Sequence, residues 1–267
     1  MKIILLIIAL LMVPNLSADN FELIDNNGLG WGNFEILNCT DSTKFEINIL
    51  RIDPDKYEFV LLTASEYGCK PRTMRQWYQK HELCAAFNAG MYAKDLLTSL
   101  GYCRNYQHIN NSRLNKHNTV LAFNPVNSKN RSVRIIDRKC EDFDKLKSGY
   151  HSFLQSIRML GCNKTNVWKQ SDKKYSILAL AEDSAGFMLA CFCQKPLSAH
   201  DFINYMLKLE LGLKRMMYLE GGGPANLYID NNGFTRDLAG CIERFAPAEV
   251  INPIRVPVPN VIGIKKK

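Results

Sequence analysis

Glu220 stands between an apolar run, residues 216–219, and three successive glycines, Gly221, Gly222 and Gly223, with Pro224 and a second apolar run, 225–229, behind them. Each glycine held in ordered structure costs roughly 0.5–1 kcal/mol of conformational entropy relative to alanine. Three in a row between two strands therefore mark a backbone that bends sharply or meets a ligand closely. Without Cβ atoms, successive N–H groups can turn into one concavity and hold an anion. Glu220 lies at the lip of that concavity, placed to act on whatever the amides hold. The same residues also fit a plain hairpin with a glycine-rich loop and an exposed acid beside it. Both readings stay open on this stretch alone.

The other reactive residue types are less committed. Cys191 and Cys193 alternate on one face of an expected strand, but no second pair at ligand spacing accompanies them, so they do not by themselves make a metal site. Cys84 and His81 are too close in sequence, across a helix–strand junction, to face each other as nucleophile and base. His200 and Asp201 sit at the start of an expected helix, where anions are favoured. No ligand spacing requires a metal and no cofactor motif is present. Glu220 with Asp or Asn neighbours would still offer hard oxygen ligands to a divalent cation.

Composition narrows the setting. The chain has 267 residues, 46% hydrophobic, with a formal net charge of +8. The basic excess is spread out and lacks the aromatic-interleaved stripe of a nucleic-acid surface, so no nucleic-acid partner is expected. Residues 1–18 read as a signal peptide: Lys2, an apolar run over 3–13, Pro14, then Ser17-Ala18 ahead of the expected cut. Eleven apolar residues are too few to span a bilayer comfortably, and no transmembrane helix is expected once the leader is removed. The expected location is secreted or periplasmic. In that oxidising setting at least one disulfide should form among the nine cysteines, with connectivity undetermined.

The elements that must position these residues read mainly as strands. Residues 34–36, 45–51 and 57–63 carry β patterns, as do 119–124, 133–137, 151–160, 175–181 and 186–193. Residues 73–81 read as a short helix. Ser198-Ala-His-Asp opens the clearest one, with Phe202, Tyr205, Met206 and Leu209 as its buried stripe. Residues 104–116 read as a long polar loop, and the proline-bearing tail from 247 as an extended segment over the body. No repeat or linker divides the chain. The expected fold is α+β: a single domain, 19–267, of mixed β-sheet with a few flanking helices.

Four stretches in this order resemble the phosphodiester glycosidases. They are AAFNAGMY at 85–92, QSIRML at 155–160, ALAEDSAGFMLACFCQKPLSAHDF at 179–202, and YLEGGGPANLY at 218–228. A bacterial branch of that family has a Glu-Gly-Gly-Pro element and a Pro-Asn-Val-Ile-Gly-Ile end, which this chain has at 259–264. Departures are specific: Glu220 stands for the usual Asp, Pro224 for a Ser, and Ile157-Arg158 for Gly-Pro.

The resemblance implies an exported hydrolase cleaving the glycosidic bond of a sugar-1-phosphodiester, with a phosphodiester-linked carbohydrate as partner. The alternative is a secreted glycan- or envelope-binding protein of the same fold without turnover. A phosphate leaving group is a weak base, so neutralising its charge matters more than protonating it. Carried onto these positions, Glu220 is the working carboxylate; Arg158, a cation the family pattern lacks, reads by its residue type as a planar fork for phosphate oxygens. Gly221, Gly222 and Gly223 supply amides, while Asn88, Gly90, Gln155 and His200 line the substrate site.

Overall fold

The computed structural model describes residues 21–38, 42–241 and 255–267. The leader at 1–18, Cys39, and tail residues 247–254 lie outside the described residues. Four strands open the chain: β1 (Glu22–Leu23), β2 (Leu29–Leu37), β3 (Lys44–Ile52) and β4 (Tyr57–Thr63). Helix α1 (Met74–His81) leads into β5 (Ala85–Asn88), β6 (Cys103–Asn105), β7 (His108–Asn111), β8 (Thr119–Pro125) and β9 (Val133–Asp137). After α2 (Phe143–Leu146) come β10 (Tyr150–Arg158), β11 (Tyr175–Asp183) and β12 (Met188–Leu197). Helix α3 (Ala199–Lys208) is followed by β13 (Leu213–Gly221), β14 (Asn226–Asn231), β15 (Phe234–Ala239) and β16 (Asn260–Lys266).

These strands form two sheets, one of 11 strands and one of 5. The larger runs β1-β2-β3-β12-β11-β13-β10-β6-β7, with β8 and β9 joined to it through β10. The smaller runs β15-β14-β5-β16-β4. Every strand pair is antiparallel. This overturns the expected α+β fold with a mixed sheet. The described residues form a β-sandwich with three short α-helices of 8, 4 and 10 residues. The physical reason lies in the connections. Antiparallel neighbours can be joined by hairpins and loops, whereas a parallel pair needs a long crossover, usually helical. The acidic turn at 182–186 and the Asn-Asn-Gly turn at 231–233 are such hairpins.

One apolar cluster fills the space between the sheets, drawing Leu50, Leu121, Leu178, Met217 and Leu219 from the larger sheet and Phe87, Leu227 and Ile262 from the smaller. A second covers the outer face of the larger sheet. There α3 lays Phe202, Ile203 and Met206 over Ile47, Ile49, Ala179 and Cys191. Its start follows the sequence expectation, since Ser198 Oγ accepts the N–H of Asp201 at 3.0 Å. Helix α1 closes the outer face of the smaller sheet through Met74 and Trp77, with Thr73 and Gln76 in a reciprocal cap. Burying one such side chain contributes about 1.5–3 kcal/mol, which is how two short helices hold their places.

Two further expectations are corrected. The polar stretch 104–116 is not a loop throughout, because β6 and β7 pair within it. The chain's end is not laid over the body either. Strand β16 lies inside the smaller sheet, between β5 and β4.

Candidate active site

Strand β13 belongs to the larger sheet and β14 to the smaller, so the segment between them crosses from one layer to the other. That crossing is Glu220 to Pro224. Gly222 takes φ +70°, a left-handed conformation that favours glycine. Gly221 is required by contact: a Cβ there would lie 2.6 Å from Tyr175 Cδ2 and closer still to the Tyr218 hydroxyl. The crossing is fastened on both sides. The Gly222 N–H donates to the Ser176 carbonyl at 2.9 Å. The Asn226 amide donates to the carbonyls of Pro224 at 2.8 Å and Gly223 at 3.3 Å.

Glu220 itself is half-buried. Its Oε1 accepts the N–H of Gly221 at 3.1 Å, and among the described residues no Lys or Arg is paired with it. Burial pushes its carboxyl up to about 7, with the Gly221 amide pulling the other way. Three phenols lie within its field. Burial raises Tyr92, Tyr175 and Tyr218, and the Glu220 charge raises each further. Tyr218 and Tyr175 share a hydrogen bond, their rings 6.3 Å apart and edge-on. Trp168 backs Tyr218 at 5.5 Å. The result is an uncompensated carboxyl walled by aromatic rings at the junction of two sheets.

The expected site residues divide into two groups. Asn88 comes to the crossing: it ends β5, is fully buried, and its Oδ1 accepts the N–H of Asn226 at 3.3 Å. Its Nδ2 has no partner. Gly90, at φ +73°, turns the chain from Asn88 towards Tyr92. The three glycines are present but do not form a free amide cradle. Gly221 and Gly222 donate within the protein, which leaves Gly223.

Gln155, Arg158 and His200 are engaged elsewhere. Gln155 is buried on β10, where Oε1 accepts the N–H groups of Tyr102 and Asn115 and Nε2 donates to the carbonyls of Asn115 and His117. It braces the segment 100–117. Arg158 Nε donates to Asp137 Oδ2 at 2.7 Å, and its Nη2 lies 3.3 Å from Cys162 Sγ. The Arg158 carbonyl accepts from Trp168 Nε1 at 2.7 Å, so the residue supports the ring behind Tyr218. His200 Nδ1 meets Asp201 at 3.5 Å and Asn204 at 3.3 Å, on the first turn of α3.

Sequence reasoning missed the three tyrosines and one asparagine. Tyr92 and Tyr218 lie at the ends of stretches already singled out, and a β-strand's alternation could have placed Tyr218 on the same side as Glu220. Tyr175 carried no sequence signal. Asn260, at the start of β16, is buried with neither amide atom partnered.

The cysteines hold no metal-binding arrangement around Glu220. Cys140 and Cys162 form a disulfide across a separation of 22 residues. Among the described residues they make the only donor grouping, with Asp137; the sulfurs are bonded to each other and the carboxylate to Arg158. Cys191 and Cys193 are buried under α3 as thiols, burial raising both and pushing Cys193 up to about 12. Burial likewise raises Cys84, against a nucleophilic role.

A family model described as phosphodiester glycosidase matches residues 81–265. Among solved structures, the chain resembles the zebrafish N-acetylglucosamine-1-phosphodiester α-N-acetylglucosaminidase catalytic domain auto-inhibited by its pro-peptide. That match has TM-score 0.65 and 10% identity, covering 90% of this chain and 83% of the other. A hypothetical protein from Synechocystis follows at TM-score 0.61 and 12% identity, with 90% of this chain and 62% of that one covered. A Burkholderia pseudomallei protein described as exported gives TM-score 0.52 and 9% identity, covering 86% and 75%. No curated protein matches. At these identities the structural likenesses establish the fold.

Proposed function

The chain belongs to the phosphodiester glycosidase family, and from that premise we propose that it is an exported hydrolase cleaving the glycosidic bond of a sugar-1-phosphodiester at Glu220. The observation that carries this reading is a carboxyl raised to about 7 with no cation paired to it among the described residues, at the crossing between the sheets and with Tyr92, Tyr175 and Tyr218 in its field. A group poised near neutral pH exchanges protons readily under working conditions. Breaking the bond between the anomeric carbon and its oxygen releases a phosphate monoester, a weakly basic anion, so the demanding task is on the sugar side. Glu220 acts there in its ionised form, as base towards water or as nucleophile towards the anomeric carbon.

The remaining groups follow from their positions. The Gly223 N–H is a donor left for substrate oxygens, and the Asn88 Nδ2, buried and unpartnered among the described residues, would serve one only if the crossing moves to admit it. Faces of Tyr92 and Tyr175 suit the apolar side of a sugar ring. Arg158 acts as a positioning residue, holding Trp168 and through it Tyr218. Gln155 holds the loop that follows Tyr92. Residues 1–18 are the leader that exports the chain.

The test is a screen of sugar-1-phosphodiesters, with and without chelator, on the wild type, Glu220→Gln and Arg158→Ala. Glu220→Gln should abolish turnover and retain substrate binding. Arg158→Ala keeps the carbonyl that holds Trp168 and removes the ion pair with Asp137, so it should lower phosphodiester and aryl-glycoside turnover alike, through loss of that support; selective loss of phosphodiesters would make it a phosphate clamp. Full activity in Glu220→Gln would remove that residue from the mechanism. Tight glycan binding with no turnover of any phosphodiester would favour the binding-protein reading.

A further inference from the structure

The surface around β6 and β7 is unlike the rest of the molecule. Among the described residues, nine large apolar side chains are exposed, and five of them fall between Leu96 and Leu114. Leu96 and Ile109 are 52% and 53% exposed, with Leu100 and Leu114 close behind. Exposed apolar residues are ordinary when scattered; a concentration in one short stretch is not. Side-chain hydrogen bonds gather the stretch into one surface. Asn110 donates to the Leu97 carbonyl, Asn111 to that of Ser99, and Asn115 to that of Leu100. Strand β7 also ends the larger sheet, an exposed edge of the kind that proteins otherwise shield.

Charge identifies what covers this surface. Residues 94–116 contain four cations, Lys94, Arg104, Arg113 and Lys116, against one carboxylate, Asp95. Asp95 is engaged by the N–H groups of Leu97 and Thr98 and by the Thr98 hydroxyl. Of the acids outside the stretch that face it, Glu66 is taken up by the Asn105 amide, and Glu58 lies beside Tyr106. Apolar tips interleaved with free cations match a bilayer with anionic headgroups. Cations meet the lipid phosphates, and leucine and isoleucine enter the acyl boundary. A purely anionic polymer would use the charges and leave the apolar tips in water.

We propose that the surface built from residues 94–116 docks the protein onto an anionic membrane. The same excursion begins at Tyr92, which bridges to Ser99 and lies in the field of Glu220. Docking would therefore set the mouth of the candidate site against the lipid surface. The binding claim stands independently of turnover.

The experiment is cosedimentation of the full mature chain with vesicles of phosphatidylcholine alone or of phosphatidylcholine with phosphatidylglycerol. The wild type should sediment with the anionic vesicles and weaken as salt is raised. Each neutralised cation in Lys94→Gln/Arg113→Gln/Lys116→Gln should cost roughly fivefold in partition. Leu96→Ser/Ile109→Ser should cost roughly tenfold or more. Val126→Ser, an exposed apolar position outside the stretch, should leave binding unchanged. Near-ultraviolet circular dichroism and melting of each variant report whether the fold is intact. Equal partition of all proteins, or none for the wild type, overturns the proposal. Loss with the charge variant alone points to a polyanion instead. Binding kept by every variant only in the presence of a second protein points to a protein partner.

Discussion

A carboxyl group moved from water into the junction between two sheets ionises less readily, and among the described residues no cation pairs with Glu220 to offset the loss of solvation. Its folded value, about 7, lies above the ordinary 4.5. The protonated form is thus favoured in the fold, and that contribution is fully present below about pH 4.5 and lost as pH rises through about 7. Glu220→Gln removes the titration. The variant should match the wild type in melting temperature at about pH 3.5 and exceed it at pH 9. The gap should be on the order of 2 kcal/mol once partial solvent screening is allowed for. For activity the sign reverses, because the ionised form does the work. The wild-type kcat/KM should climb with pH through about 7, and Glu220→Gln should lose roughly two orders of magnitude or more with no such limb. A stability gap between the two proteins that stays the same from about pH 3.5 to pH 9 would contradict the assigned shift. Gly221 gives a second residue-scale test. Gly221→Ala would push a methyl into the Tyr218 hydroxyl and Tyr175 ring, costing about 1–3 kcal/mol in denaturant unfolding. Adding Tyr218→Phe, which removes the obstructing oxygen, should recover part of that loss. The glycine run was legible as a place where side chains are excluded. The tyrosines that exclude them were not, because Tyr175 is over forty residues away in sequence and meets Gly221 only through the pairing of β11 with β13.

At the scale of elements, sequence pattern located most strands yet could not say which side chains would be used up in holding them. QSIRML reads as a strand passing a site, and β10 is that strand. Gln155 nevertheless spends its amide on the segment 100–117, and Arg158 spends its Nε on Asp137, at the end of β9. Pairing of residues distant in sequence is a tertiary fact. The disulfide illustrates the same limit: nine cysteines in an exported chain predict a bond, but only the approach of the segments after β9 and β10 selects Cys140 and Cys162. Thiol titration of denatured, unreduced protein should count no more than seven free thiols. Cys140→Ser/Cys162→Ser should lower stability by about 3 kcal/mol, the chain-entropy expectation for a loop of this length. Nine free thiols in protein prepared under oxidising conditions would show that the bond does not form. The hairpin of β6 and β7 escaped notice because its run of Asn and other polar residues has turn chemistry, while its pairing is supplied by β10.

For the molecule as a whole, the last strand decides whether the sandwich closes. Proline at 253, 257 and 259 made the tail read as a segment draped over a finished body. Proline blocks ladder pairing only at its own N–H, however, and none falls within Asn260–Lys266. Those residues enter the smaller sheet with β5 on one side and β4 on the other. Val261, Ile262 and Ile264 are fully buried there, facing the α1 cluster and the inter-sheet core by turns. Gly263 has no space for a Cβ, which would lie 2.8 Å from Leu83 and Val60. A chain ending at Val258 would therefore lose a central strand. It would leave the facing edges of β4 and β5 unpaired and remove core from both faces of the smaller sheet. Asn88 at the end of β5, and with it the crossing that carries Glu220, would lose their support. Such a truncation should show no cooperative thermal transition, bind a hydrophobic dye, and have no activity. Removing only Lys266 and Lys267, both exposed, should cost little. If the long truncation melted cooperatively with native near-ultraviolet dichroism, β16 would be an accessory strand, and the closure of the sandwich would have to come from the rest of the chain.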